Sequence, residues 1–99
     1  MVFDVSEISG IGKFEVKKEK ERTLFLADEK VFLVENAKTI EVRCDGRLGK
    51  LLREKYESVM ESRYFGRGGI EIVNSGQLAS DEIEDLVRLS YNLTTEIKK

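Results

Sequence analysis

The chain has 99 residues, 36% of them charged and 40% hydrophobic, with a formal net charge of -2 and a pI near 5.3. That is enough for one folded domain with a modest core, and it excludes a disordered chain or a strongly basic one. There is no histidine, a single cysteine, and no apolar run near the roughly 18–20 residues of a membrane span, which removes the usual neutral-pH base, the commonest zinc ligand, an internal disulfide and a spanning helix. No charged-then-apolar leader opens the chain, so a cytoplasmic protein is the default expectation.

Residues 1–12 carry no sustained pattern. Asp4 or Ser6 can cap a single helical turn, and Gly10-Ile11-Gly12 reads as a turn whose spacing matches no phosphate-binding loop. From Lys13 the period is two. Phe14 and Val16 alternate with Lys13, Glu15 and Lys17, which predicts a half-buried strand. Lys18-Glu19-Lys20-Glu21 is the polar tip of a hairpin, and Thr23 to Ala27 is the returning strand. Asp28-Glu29 turns the chain into a third strand, Lys30 to Glu35, with an almost unbroken apolar run from Val31 to Val34. Such a run predicts burial on both faces, by helices and by a further cover such as a second subunit. Thr39 to Cys44 alternates cleanly, with Ile40, Val42 and Cys44 on one face. Connections this short favour antiparallel neighbours in a meander.

Asp45 is placed to cap a helix whose apolar stripe is Leu48, Leu51, Leu52 and Tyr56, with Val59 and Met60 continuing the core beyond its end. Gly66 to Gly69 reads as a flexible turn, Ile70 to Val73 as the last strand, and Asn74-Ser75-Gly76 as its break. Ser80 is placed to cap the final helix, with Asp81 and Glu82 suited to its dipole. Ile83, Leu86, Val87, Ser90, Leu93, Thr94 and Ile97 form that helix's stripe, and Lys98-Lys99 close it. The whole is a single α+β domain over residues 1–99: an antiparallel sheet with helices on one face.

Several short motifs in this order resemble the MmcQ/YjbR-like proteins. Glu29-Lys30-Val31-Phe32-Leu33-Val34 is similar to that family's Gly-Lys-Val-Phe-Ala-Leu strand, and Glu41-Val42-Arg43-Cys44-Asp45 to its Leu-Lys-Cys-Asp strand end. Leu51 to Val59 resembles its Leu-Arg-Glu-Arg-Tyr helix, and Ser90-Tyr91-Asn92-Leu93 its Ser-Tyr-Asp-Leu. Arg63-Tyr64-Phe65 stands where the family has a basic loop before a strand. The likeness runs from about Ala27 to Leu93. It departs at the start, where the family's full N-terminal helix is missing or truncated, and before the last strand, where Gly68-Gly69-Ile70 replaces a Lys-His-Trp. The resemblance implies a CyaY-like (frataxin-like) fold and a double-wing shape suggested for DNA binding.

The candidate nucleic-acid residues are Lys17, Lys18, Lys20 and Arg22 on the hairpin, with Arg63, Tyr64 and Arg67 in the later loop. Cations supply phosphate contacts, and Tyr64 with Phe65 supplies stacking surface. A solvated face explains the same residues: Glu19 and Glu21 interrupt the hairpin cations, and Lys50–Glu54 and Arg53–Glu57 stand at i, i+4 on the first helix. DNA is the candidate partner. The alternative is a protein-interaction module without enzymatic activity, acting as a monomer or weak homodimer.

No catalytic, metal or cofactor residues are assigned. Cys44 closes a strand on its apolar face, where a buried, inert thiol is expected. Asp81, Glu82, Glu84 and Asp85 suit helix capping better than cation binding, and Gly66-Arg67-Gly68-Gly69 lacks the Lys-Ser/Thr of a phosphate loop. Ser90 reads as a small residue for close helix–sheet contact, and Tyr91 as a packed ring with its hydroxyl at the edge.

Overall fold

The computed structural model describes residues 5–74 and 76–96. The expected Asp4 cap, Ser75, Ile97 and the closing lysines lie outside the described residues. Alternation of apolar and polar side chains builds the first four strands: β1 (Glu15–Lys18), β2 (Thr23–Ala27), β3 (Lys30–Glu35) and β4 (Thr39–Arg43). Helix α1 (Gly46–Lys55) follows, then β5 (Val59–Ser62), β6 (Gly66–Val73) and helix α2 (Ser80–Thr95), and a short 3-10 turn, Val5–Glu7, precedes them all. The sheet is antiparallel throughout, in the order β1-β2-β3-β4-β6-β5. The first four strands form the expected meander. The chain then passes through α1 and returns as a hairpin whose second strand pairs with β4.

Both helices cover one face. Helix α2 lies against β2, β3 and β4, and α1 against β5 and β6. Phe25, Phe32, Leu33, Ile40, Val42, Val59, Ile70 and Ile72 from the sheet meet Leu48, Leu52, Ile83 and Val87 from the helices. Asp45 caps α1 as expected, its carboxylate accepting from the N–H groups of Arg47 at 2.7 Å and Leu48 at 3.4 Å.

The sequence reading of the middle of the chain needs correction at five points. Leu51 is 57% exposed, because the α1 stripe turns through Leu48, Gly49 and Leu52 rather than through Leu51. Val59 continues the core beyond α1 as expected, but Met60 is 42% exposed, and the two open a sixth strand that the sequence did not suggest. Residues 66–69 are the start of β6 and not a flexible turn. The reversal lies at 63–65, and Gly69 is there because a Cβ would come within 2.5 Å of the Val42 carbonyl and 2.7 Å of Phe65. The expected Arg53–Glu57 pair does not form, since α1 ends at Lys55; Arg53 reaches back to the Gly49 carbonyl and across to Glu61. Ser80 is the first residue of α2, and Ala79 occupies the cap, where Glu82 reaches back to accept its N–H.

The apolar run of β3 is buried on both faces, as expected, but through a bulge. Phe25 faces Leu33 while the next residue, Leu26, faces Val31, so Phe32 is an extra residue. Phe32 and Leu33 therefore both enter the helix-side core, and Val31 and Val34 face the other way. The bulge opens the β3–β4 ladder, and Ser90 of α2 closes it. Its hydroxyl accepts from the Arg43 N–H at 2.8 Å and donates to the Phe32 carbonyl at 2.5 Å. A small polar residue is required there for that bridge as well as for close contact. Tyr91 packs edge-on against Phe32 and donates its hydroxyl to the Lys13 carbonyl.

Candidate nucleic-acid interface

The β5–β6 turn lies over the second face of the sheet. Phe65 folds onto the cluster of Leu24, Val31 and Val34, against which Leu26 also packs. Its ring also lies under the Arg43 guanidinium at 4.9 Å, and Arg43 Nε donates to the Val31 carbonyl. Gly66, with φ at 61°, lets the chain leave this turn in a left-handed conformation.

Two glutamates hold the turn in place. Glu41 on β4 and Glu71 on β6 stand directly opposite each other, and both are buried, at 2% and 4% exposure. Like charges so placed repel, so each needs compensating partners. Glu41 Oε1 accepts from Ser62 Oγ at 2.7 Å and from the Tyr64 N–H at 2.8 Å, and Oε2 accepts from Asn36 Nδ2 at 2.9 Å. Glu71 accepts from Arg63 through two parallel bonds, Nε at 2.9 Å and Nη2 at 2.7 Å, and from Thr39 Oγ1 at 2.6 Å. Burial works against ionisation of Glu41, yet the bonds from Asn36, Tyr64 and Ser62 and the nearby Arg63 charge outweigh it and hold its carboxyl below its ordinary value. Ser62 Oγ also accepts from the Phe65 N–H at 2.9 Å, which shapes the turn itself.

The β1–β2 hairpin meets this turn. The Glu19 N–H donates to the Arg22 carbonyl at 2.8 Å, and Arg22 Nε donates to Glu19 Oε1 at 2.7 Å. The Arg22 guanidinium then lies over the Tyr64 ring, 5.1 Å from its centroid, and Phe65 meets Tyr64 edge-on. A concavity of about 530 Å³ results, lined by Glu19, Lys20, Glu21, Arg22, Asn36, Glu41, Arg63 and Tyr64. An adjoining hollow of about 810 Å³ adds Lys18 and Glu35.

Four of the seven candidate residues, Lys20, Arg22, Arg63 and Tyr64, thus line one concavity, and Lys18 lines its neighbour. Lys17 lies on β1 opposite Leu24, and Arg67 is exposed at the start of β6; neither lines these hollows. The sequence reading missed Asn36, Thr39, Glu41, Ser62 and Glu71. Alternation marks Glu41 and Glu71 as pointing away from the helices, but only the β4–β6 pairing reveals that they face each other under a turn.

Cys44 is buried, and burial together with the neighbouring Asp45 carboxylate pushes its thiol up to about 11, so it carries no thiolate at neutral pH. Asp85 pairs with Arg88 at 2.6 Å, and Arg88 Nε also donates to the Ser9 carbonyl, tying the start of the chain to α2. Backbone groups of 66–69 are engaged in pairing, with Gly69 opposite Arg43 and the Gly68 carbonyl accepting from Cys44. Among the described residues no three His, Cys, Asp or Glu side chains converge as a metal site would require, and no helix is long and apolar enough to cross a membrane.

No family model and no curated protein matches the chain. Two solved structures share its fold. One is a protein from Pseudomonas syringae, 17% identical, with a TM-score of 0.70 over 82% of this chain and 86% of that one. The other is the Deinococcus radiodurans protein DR2400, of the DUF419 domain, 16% identical, with a TM-score of 0.77 over 96% of this chain and 77% of that one. At these identities the likeness establishes the α+β fold.

Proposed function

We propose that the chain is a binding module without chemistry of its own, which takes a nucleic-acid strand into the hairpin–turn concavity. The observation that carries this reading is the convergence of Lys20, Arg22, Arg63 and Tyr64, from two distant segments, on one hollow. The ion pairs within it do not silence the arginines. Arg22 bonds Glu19 through Nε alone, and Arg63 uses Nε and Nη2, so among the described residues both Nη groups of Arg22 and Nη1 of Arg63 are left for phosphate oxygens. The glutamates act as braces that fix where these donors point. Tyr64 is 38% exposed and adds an aromatic surface among the cations, the combination that single-strand binders use.

The test is an amide chemical-shift titration with short single-stranded and duplex DNA at low and at physiological salt. Shifts confined to 18–22 and 62–65, strongest with the single strand and weakening as salt rises, are expected. Absence of shifts at low salt overturns the reading.

A protein-interaction role is the second reading. Strand β1 favours it: its four residues are all exposed, it stands at the sheet's edge, and Val16 is half exposed on it. A partner strand there would shift Glu15–Lys18 and leave Tyr64 untouched.

A further inference from the structure

The concavity holds carboxylates as well as cations, and they are not equivalent. Glu19 is engaged by Arg22, and Glu41 is sealed beneath Asn36, Ser62 and Tyr64. Glu21 is exposed on the rim and, among the described residues, forms no ion pair or side-chain hydrogen bond. The rim therefore presents a free acceptor pair beside a guanidinium that is braced from behind by an aromatic ring. A guanidinium plane is itself a stacking platform for a base.

Resting on the nucleic-acid reading above, we propose that this site selects guanine. The base stacks on the outer face of Arg22, whose inner face rests on Tyr64. The Glu21 carboxylate accepts from the N1–H and the N2 amino group of the base, while Arg63 Nη1 and Lys20 take the flanking phosphates. Guanine is the base whose Watson–Crick edge offers two adjacent donors to a carboxylate. Thymine and uracil offer one N–H flanked by carbonyl oxygens, which a carboxylate repels; cytosine and adenine offer one amino donor beside a ring acceptor. The edge is available only outside a duplex, so the ligand is single-stranded or a free nucleotide. Mixed charge, which weakens a generic phosphate site, is what a base-reading site requires: cations for the backbone and an anion for the base.

The experiment compares a short thymidine-only strand, the same strand with one central guanosine, and guanosine monophosphate, each titrated into the full chain and into Glu21→Gln. The guanosine strand is expected to bind about tenfold tighter than the thymidine strand, the worth of one good two-bond base contact. Glu21→Gln should bring the two strands together, since a carboxamide keeps only one acceptor. The hairpin tip is exposed, so this variant is expected to fold as the parent does. Equal binding of the two strands by the parent chain overturns guanine selection and leaves the binding reading standing. A preference that survives in Glu21→Gln overturns the role of Glu21. Failure of both strands to bind, with no guanosine monophosphate binding, overturns the inference together with the reading beneath it. Guanosine monophosphate binding as tightly as the guanosine strand supports the guanine contact and assigns it to a free nucleotide.

Discussion

The two faces of this sheet are covered by different means. On one, two helices seal Phe32, Leu33, Ile40, Val42, Ile70 and Ile72, with no charged side chain among the buried members. On the other, a turn of a few residues covers Leu24, Val31 and Val34 with one aromatic ring, and beside it lie two buried carboxylates. A helix pair brings enough apolar area to hold itself down. A short turn does not, so it is fastened by directional bonds to Glu41 and Glu71. Such bonds add geometry as well as stability, because they set where Arg63 and Tyr64 point. The helical face makes the domain; the anchored face makes the candidate site.

Truncating the central ring of each cover tests this contrast most strongly. Phe32 is fully buried on the helical side, among Phe14, Phe25 and Tyr91. Phe32→Ala should cost about 3–5 kcal/mol in urea unfolding. Phe65 is only half buried, so Phe65→Ala should cost roughly 1–2 kcal/mol, including the loss of its contact with Arg43. Amide exchange should then quicken at 62–66 while β3 and β4 stay protected. Equal global losses in the two variants would break the distinction between the faces.

A smaller effect isolates the anchor from the ring. Glu41→Gln keeps the shape and turns one acceptor into a donor. It then faces either Asn36 or the Ser62–Tyr64 pair with the wrong polarity. The expected cost is about 1–2 kcal/mol, with exchange again quickened in the turn. Tyr64 ring resonances should broaden or shift in the same variant. Unchanged exchange and Tyr64 signals would mean that the turn keeps its place without the carboxylate.

The helical face was legible in the sequence, and the anchored face largely was not. Period-two alternation in 13–44 and the stripe from Ile83 to Thr94 state their faces locally, so strands, meander and core followed from them, except that β1, expected to be half buried, has all four residues exposed at the sheet's edge. The α+β class followed too. Leu51 shows where local reading stops: it fits a helical stripe by spacing, but helix position against β5 and β6 leaves it outside. The run Gly66–Gly69 reads as a loop because glycine is a loop signal, whereas here glycine serves the close approach of Phe65 and the Val42 carbonyl. The site depends on long-range pairing. Arg22 and Tyr64 are in the sequence as a cation and an aromatic, but their contact follows from strand order, and the Glu41–Glu71 pair follows from a register that no local pattern states.

The finest test of the two faces is their dependence on pH. Glu41 titrates below its ordinary value in the folded chain. A carboxyl lowered by folding contributes stability that is complete above its unfolded value, about 4.3. That contribution is lost as pH falls through the lower, folded value. It is therefore constant from neutral pH to roughly pH 5 and declines below that. Glu41→Gln lacks this component while keeping every other carboxyl, so the stability gap between parent and variant should narrow as the solution is acidified. Phe32 sits in a core cluster that holds no carboxyl, and the thiol of Cys44 within it lies at about 11. The deficit of Phe32→Ala should accordingly stay the same from neutral pH into acid. Urea midpoints of the three proteins across that range decide the matter. A gap between parent and Glu41→Gln that does not change with pH would show that the charge of Glu41 is not linked to folding, and that the second face is held without it.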